Sequence, residues 1–76
     1  MAHQIPEAFD RNNRIIRRPE VQQRVGLSRS AIYRRIAEGT FPKPITIGEG
    51  KAVGWLSVEI EEFLARCIAQ RDRKAA

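Results

Sequence analysis

The stretch GLSRSAIYRRIAEGTFP, residues 26–42, constrains the fold most, because signals for helix ends and helix starts are packed closely within it. Gly26 suits the end of a preceding helix, since glycine readily adopts the left-handed backbone conformation found at many helix ends. Ser28 is a preferred N-cap residue for the next helix, and Gly39 favours the end of that helix. The sequence therefore predicts a helix over residues 29–38.

A shorter helix is predicted just before it, over residues 19–25. Pro19 suits the first helical position, where its missing N–H would be unpaired anyway. Val21 and Val25 are spaced i, i+4 and define one apolar face. The connection between the two predicted helices, residues 26–28, is short and contains a glycine, which is typical of a helix-turn-helix.

Beyond the second helix the hydrophobic period changes from helical to alternating. Apolar residues alternate with small or polar ones on both sides of the sequence GEGK: Ile45, Ile47, Val53 and Trp55. This pattern predicts a β-hairpin over residues 45–55 with one apolar face and an exposed tip. Trp55 belongs to the apolar face and is expected to anchor the core. Lys51 at the tip could reach a phosphate group or could simply be solvated.

A third helix is predicted after Ser57, which we expect to act as its cap. An apolar stripe follows at helical spacing: Ile60, Phe63, Leu64, Cys67 and Ile68. We expect every residue of this stripe to pack in the core, with Cys67 as a buried, unreactive thiol. On that interpretation the chain has no dedicated dimerisation element.

The predicted fold class is mainly α with a small β-hairpin: a winged helix-turn-helix of three helices and a two-stranded wing. Residues 14–17, RIIR, fit either a short extended segment or a turn before the first helix. The domain is expected to span residues 14–70, between a flexible tail over residues 1–13 and a charged tail over residues 71–76. A chain of 76 residues leaves room for one modest core.

Charge is concentrated in the middle of the chain. Residues 17–51 contain eight Lys or Arg and three Asp or Glu, so this segment carries the whole net charge of +5. A localised basic patch favours a polyanionic partner, although a solvated surface could carry the same charge.

The orientation of the helix over residues 29–38 separates its basic residues by role. With Ile32 at the centre of the buried face, Ile36 falls about 40° away and packs beside it. The outward strip comprises Ser30, Tyr33, Arg34 and Ala37, with Arg29 at the N-terminal end. These five residues are the predicted recognition-helix contacts to DNA bases. The predicted phosphate or wing contacts are Arg17, Arg18, Arg35, Lys43 and Lys51.

Other classes of function lack the residues they require. One cysteine and one histidine exclude an internal disulfide and a multi-cysteine zinc site, so no metal and no cofactor is expected. No Ser/His/Asp or Cys/His set and no phosphate-cradling glycine loop is present, so we expect no enzyme. No apolar run is long enough to span a bilayer and no secretory signal is visible, so a cytoplasmic protein is expected.

Two segments together resemble the AlpA family of prophage transcriptional regulators and, more broadly, excisionase-like and MerR-like winged helix-turn-helix proteins. They are RIIRRPEVQQRVGLSRSAIYRRIAEGTFPKPITIG and KAVGWLSVEIEEFL, and they cover about residues 14–64. The resemblance implies binding to promoters or to prophage attachment sites. It assigns the recognition helix to Arg29, Ser30, Tyr33 and Arg34 and the wing to residues 48–52. The sequence departs from the family pattern at Glu49 and Lys51.

The function expected from these observations is sequence-specific binding of double-stranded DNA by a prophage-type transcriptional regulator, with residues 29–38 in the major groove. One alternative is an excisionase, or recombination directionality factor, that bends DNA at attachment sites. Another is an adaptor that binds a regulator or an integrase. The candidate protein partners are a recombinase and RNA polymerase. We expect a monomer in solution that binds DNA cooperatively.

Overall fold

The protein is represented by a computed structural model that describes residues 13–75. The predicted tail therefore lies outside the described residues, except for Asn13. The elements in chain order are β1 (Ile15–Arg17), α1 (Arg18–Val25), α2 (Arg29–Glu38), β2 (Ile45–Thr46), β3 (Val53–Leu56) and α3 (Ser57–Ala75).

The sheet has three strands, where the sequence predicted a two-stranded hairpin. All pairs are antiparallel and the order is β1-β3-β2, so the strand that precedes α1 lies beside the hairpin. Ile16 lies opposite Trp55, and both side chains are almost completely buried. Of the two alternatives for residues 14–17, the extended segment is therefore the one adopted. The chain is mainly helical with a small antiparallel sheet.

Gly54, in the middle strand β3, has no room for a side chain, because β1 and the other arm of the hairpin lie close to its backbone. A Cβ atom at this position would lie 2.5 Å from Ile15 Cγ2 and 3.0 Å from the Ile16 carbonyl oxygen. It would also lie 3.0 Å from Ile47 Cδ1. The glycine thus allows β1 and the hairpin to close on each other.

The ends of the first two helices follow the predicted signals. Gly26 and Gly39 adopt left-handed conformations, with φ of 70° and 80°. The Ser28 side chain accepts a hydrogen bond from the Ala31 backbone N–H at 3.1 Å, as an N-cap does. The bounds predicted for α2 are confirmed. Helix α1 begins one residue earlier than predicted, so Pro19 is its second residue.

The core lies between the sheet and the three helices. Its buried apolar residues are Ile16, Val21, Ile32, Phe41, Trp55, Ile60 and Phe63. Trp55 is fully buried, as predicted, and its indole N–H donates to the Pro42 carbonyl at 2.8 Å. The Phe41 ring packs edge-to-face against Trp55 and Phe63, with centroids 6.3 Å and 4.7 Å away.

Helix α3 follows β3 without a loop, and residues from the start of the described chain secure its first turn. Ser57 is the first residue of α3 instead of the preceding cap, and its hydroxyl is buried. This hydroxyl accepts from the Arg14 N–H at 2.9 Å and donates to Asn13 Oδ1 at 3.1 Å. Asn13 Oδ1 also accepts from the Val58 N–H at 3.2 Å. The capping role expected of Ser57 is therefore performed by Asn13.

The distal half of α3 leaves the core, which corrects two predictions. Cys67 is exposed, and 51% of the Ile68 surface is exposed, so these two residues of the apolar stripe do not pack in the core. A helix of 19 residues is about 28 Å long, whereas the strands it packs near have two to four residues. Helical periodicity alone does not show where the partner surface ends. The prediction that the chain has no dimerisation element therefore loses its basis, because part of the stripe is exposed.

Candidate nucleic-acid interface

Helix α2 presents the outward strip that its sequence predicted. Ile32 is fully buried, whereas Ser30, Arg34 and Ala37 are exposed on the other side of the helix. Arg29 is exposed at the N-terminal end and Tyr33 is half-buried on the flank. The five predicted base-contacting side chains therefore belong to one helix, and four of them are exposed on it.

Contacts on the inner side hold α2 in place. Ile36 and Leu27 pack against the core cluster alongside buried Ile32. The Thr40 N–H donates to the Arg35 carbonyl at 2.9 Å, which closes the C-terminal end beyond Gly39. The direction of the outward side chains is consequently set by packing on the opposite face.

The tip of the hairpin is exposed. The Ile47 N–H donates to the Ala52 carbonyl at 2.8 Å and closes the turn, and Gly48 adopts a left-handed conformation with φ of 69°. Glu49, Gly50 and Lys51 are exposed in this turn.

Three of the predicted phosphate contacts are brought together at this end of the sheet. Arg17, Arg18 and Lys51 line one shallow cleft, which is completed by Pro19, Ala52 and Val53. The Arg17 Nε–H donates to the Val53 carbonyl at 3.0 Å, which holds its guanidinium beside the hairpin. Within residues 13–75, no carboxylate lines this cleft. Three cationic side chains without a lining acid form a suitable surface for an anion. We call these three residues the wing cluster.

Glu20, one of two acidic residues that lie two positions from the wing cluster in sequence, already has a partner. Arg14 Nη1 donates to Glu20 Oε1 at 3.2 Å, and Arg14 Nη2 forms a second contact with Glu20 Oε2. These hydrogen bonds lower the pKa of Glu20 below its ordinary value and raise the pKa of Arg14. Both side chains are exposed, so solvent screens the pair.

The remaining two predicted phosphate contacts lie elsewhere. Lys43 is exposed between α2 and β2 and does not line the wing-cluster cleft. Arg35 is half-buried and lines a different cleft together with Arg66 and Arg73 of α3. Arg66 and Arg73 were not predicted from the sequence, because the charges of residues 52–76 sum to zero. The signal available was the separation of acids and bases into the two halves of α3.

The part of the chain that the structure describes contains neither a candidate metal site nor a candidate membrane-spanning helix. Its His, Cys, Asp and Glu residues form no group of three that could hold a metal ion. No helix within residues 13–75 combines the length and the hydropathy needed to cross a membrane.

Comparison with known proteins gives a consistent result. The family described as "Prophage CP4-57 regulatory protein (AlpA)" matches residues 14–68. The chain is 47% identical over 60 residues to the uncharacterized protein ORF88 of Enterobacteria phage P4, covering 79% of this chain and 67% of that protein. It is 41% identical over 61 residues to the DNA-binding transcriptional activator AlpA of Escherichia coli K12, covering 71% of this chain and 86% of the relative. No solved structure gives a match. The chain therefore belongs to the AlpA family of prophage regulatory proteins.

Proposed function

We propose that this protein is a prophage-type transcriptional regulator that binds specific sites in double-stranded DNA as a winged helix-turn-helix. The observation that carries the proposal is the two-sided character of α2, with Ile32 fully buried and Arg34 exposed on the opposite face. The name of the Escherichia coli relative, a DNA-binding transcriptional activator, supports the same conclusion.

In this proposal α2 enters the major groove. A helix of ten residues is about 15 Å long, and the groove is about 12 Å wide, so the dimensions are compatible. Arg34 can donate two hydrogen bonds to the O6 and N7 atoms of a guanine, and the Ser30 hydroxyl can donate or accept. Ala37 allows close approach. Arg29 lies at the N-terminal end, where recognition helices make many of their base contacts.

The wing cluster supplies phosphate contacts beside the recognition helix. Arg17 and Arg18 are joined by Lys51 of the hairpin tip, so one cationic surface combines β1, α1 and the proposed wing. Phosphate contacts fix the register of a protein on the duplex without reading its sequence. Lys43 and Arg35 are assigned to the phosphate backbone in the same way.

The proposal is tested by the salt dependence of duplex binding. The logarithm of the association constant should fall with the logarithm of salt concentration with a slope of about −3 to −6, as expected for four to six neutralised phosphates. Fluorescence anisotropy with a labelled genomic duplex, recovered by selection on the purified protein, measures this slope. A slope near zero would refute DNA binding and favour a protein-interaction adaptor.

The regulator and excisionase roles differ in the DNA deformation they require. An excisionase assembly bends its attachment site, whereas an activator at a promoter has no such requirement. A circular-permutation gel shift on the selected site measures the bend. If the protein is the proposed regulator, we expect the recovered sites to lie upstream of genes and to be bent little, and its protein partner would be RNA polymerase. Strong bending at an attachment site would instead indicate an excisionase that acts with a recombinase.

A further inference from the structure

A second arginine-lined cleft lies between the C-terminal part of α2 and the distal half of α3. It has a volume of about 430 Å³ and is lined by Arg35, Thr40, Phe63, Arg66, Cys67, Ala69, Gln70 and Arg73. Three of these side chains are cationic, and no described carboxylate lines the cleft. An anionic group entering it would meet guanidinium donors from both helices.

One of these arginines has an unused donor. Arg35 Nε is buried and has no hydrogen-bond partner among the described residues. A buried N–H without an acceptor costs free energy, so a movement of the Arg35 side chain that brings Nε–H to an acceptor in the cleft would be favourable. The other two arginines are exposed and can move to meet a ligand.

Among the described residues, no acidic residue of α3 lines the cleft or forms an ion pair with its arginines. Glu59 and Glu62 line an adjoining depression that shares Thr40 and Arg66 with the cleft, but within residues 13–75 neither forms an ion pair with Arg66. Asp72 is paired with Arg71 at 3.0 Å, and neither residue lines the cleft. The distal half of α3 therefore has a cationic side, although the helix as a whole is close to neutral.

The position of Arg35 on α2 relates this cleft to the proposed DNA contact. Arg35 follows Arg34 directly, so the two side chains point about 100° apart around the helix. When Arg34 points toward the base edges, Arg35 lies on a flank of the helix. The flanks of a helix within the major groove face the sugar-phosphate backbones that form the groove walls.

We propose that Arg66 and Arg73 of α3, together with Arg35, bind backbone phosphates of the same duplex that α2 reads. This inference rests on the proposed function and extends the DNA-contacting surface beyond the helix-turn-helix and the wing. The negative charge of a phosphodiester suits the three guanidinium groups, and it supplies an acceptor for Arg35 Nε once that side chain turns toward the cleft. An acidic segment of a partner protein is the competing ligand, and duplex DNA is favoured because the cleft includes a residue of the proposed recognition helix.

The test compares the double variant Arg66→Gln/Arg73→Gln with Arg71→Gln. All three residues are exposed on the same half of α3, but Arg71 lies outside the cleft. In duplex titrations at several salt concentrations, the double variant should reduce the magnitude of the log–log slope by about 1 to 2. At 0.1 M salt its affinity should fall roughly 10- to 100-fold, equally for the selected site and for a random duplex, because phosphate contacts carry no sequence information. Arg71→Gln should leave the slope nearly unchanged, within about 0.3.

The outcomes separate the two proposals. Loss of slope in the double variant but not in Arg71→Gln, with unchanged thermal melting, supports the inference. Wild-type binding with the expected salt dependence, but an unchanged slope in the double variant, overturns the inference and leaves the proposed function standing. A loss of slope in Arg71→Gln that is half that of the double variant also overturns it, because Arg71→Gln removes half as much charge and the effect would then be one of net charge. If the wild type binds no duplex at all, both proposals fail.

Discussion

Ile32 and Arg34 lie two positions apart in α2, yet their surroundings are opposite, and their substitutions should separate stability from binding. Ile32 is fully buried, so Ile32→Ala should cost roughly 2–5 kcal/mol of the free energy of unfolding. Arg34 is exposed, so Arg34→Ala should leave the melting temperature unchanged and weaken binding to the selected site by about 1–3 kcal/mol. Circular dichroism melts and duplex titrations measure the two effects. Unfolding by Arg34→Ala with a harmless Ile32→Ala would show that the orientation of α2 is wrong.

Gly54 tests the close approach of β1 to the hairpin. Gly54→Ala places its Cβ 2.5 Å from Ile15 Cγ2 and against a backbone oxygen of Ile16, so the strands must shift. We expect a loss of about 1–3 kcal/mol in urea unfolding, as for other overpacked sites. Gly50→Ala is the matched control, because a Cβ at Gly50 meets no atom within 4 Å, and it should stay within about 0.5 kcal/mol of wild type. Equal effects of the two substitutions would refute the packing argument.

The Arg14–Glu20 pair should make stability depend on pH in a defined direction. Hydrogen bonds from Arg14 lower the folded-state pKa of Glu20 below its ordinary value of 4.5. The stabilisation that this pair contributes is therefore present above that value and is lost as pH falls through the folded-state pKa. Urea unfolding of wild type and Glu20→Gln should differ at pH 7 and converge at the acid end. A difference that stays constant down to pH 3 would show that the charge of Glu20 contributes nothing.

At the scale of the elements, α2 was predictable because its determinants are local. The Ser28 cap, the Gly39 stop and the spacing of Ile32 and Ile36 all lie within one short stretch, and the helix has the predicted bounds. Strand β1 was left open because its pairing partner is about 40 residues away in the chain. Its buried residue Ile16 could not be assigned to the core before that pairing was known.

The prediction that the far end of α3 packs in the core was wrong for a different reason. Its sequence keeps an apolar period through Ile68, but a period does not report whether a partner surface exists along the whole helix. The residues of the candidate site divide in the same way, into those predictable from local sequence and those whose grouping depends on tertiary packing. The outward strip of α2 follows from periodicity, whereas the meeting of Arg35 with Arg66 and Arg73 depends on how two helices are placed.

The wing can be tested as an element through Lys51, which shares its cleft with Arg17 and Arg18. Lys51→Gln should reduce the magnitude of the salt slope by about 0.9, the value for one phosphate, and should weaken binding equally at all sequences. Lys74→Gln is a control of the same charge and residue type on α3, outside both arginine-lined clefts. Identical slopes for wild type and Lys51→Gln would remove the wing from the DNA contact.

At the scale of the whole molecule, the two arginine-lined clefts share no lining residue, so they are separate surfaces. One combines β1, α1 and the hairpin tip, and the other combines α2 and α3. The extents of 52 × 27 × 20 Å describe an elongated molecule, consistent with an α3 that runs beyond the core. In the proposed complex, a molecule of this shape would contact duplex DNA over a greater length than α2 alone.

The association state follows from the distribution of exposed apolar side chains. Among the described residues, the large exposed ones are Ile15, Val58 and Ile68. Val58 and Ile68 are ten residues apart on α3, or about 15 Å, so they do not form one continuous patch. A standard interface buries about 800 Å² on each partner, which a single exposed isoleucine on α3 does not provide. We therefore expect a monomer in solution at micromolar concentrations, even though the apolar stripe of α3 is only partly used.

A monomer of this size should gain specificity by binding in several copies. A single small DNA-binding module buries only about 600–1,000 Å² of protein surface, which corresponds to one short half-site and modest affinity. Cooperative binding is therefore expected at repeated sites about 34–36 Å apart, one turn of the double helix, where neighbouring copies lie on the same side of the duplex. Titrations of duplexes with one site, with two sites one turn apart and with two sites half a turn further apart measure this spacing dependence. A stable dimer in sedimentation velocity, abolished by Ile68→Glu, would contradict the monomer and identify α3 as the contact. Equal affinity per site on all three duplexes would contradict cooperativity alone.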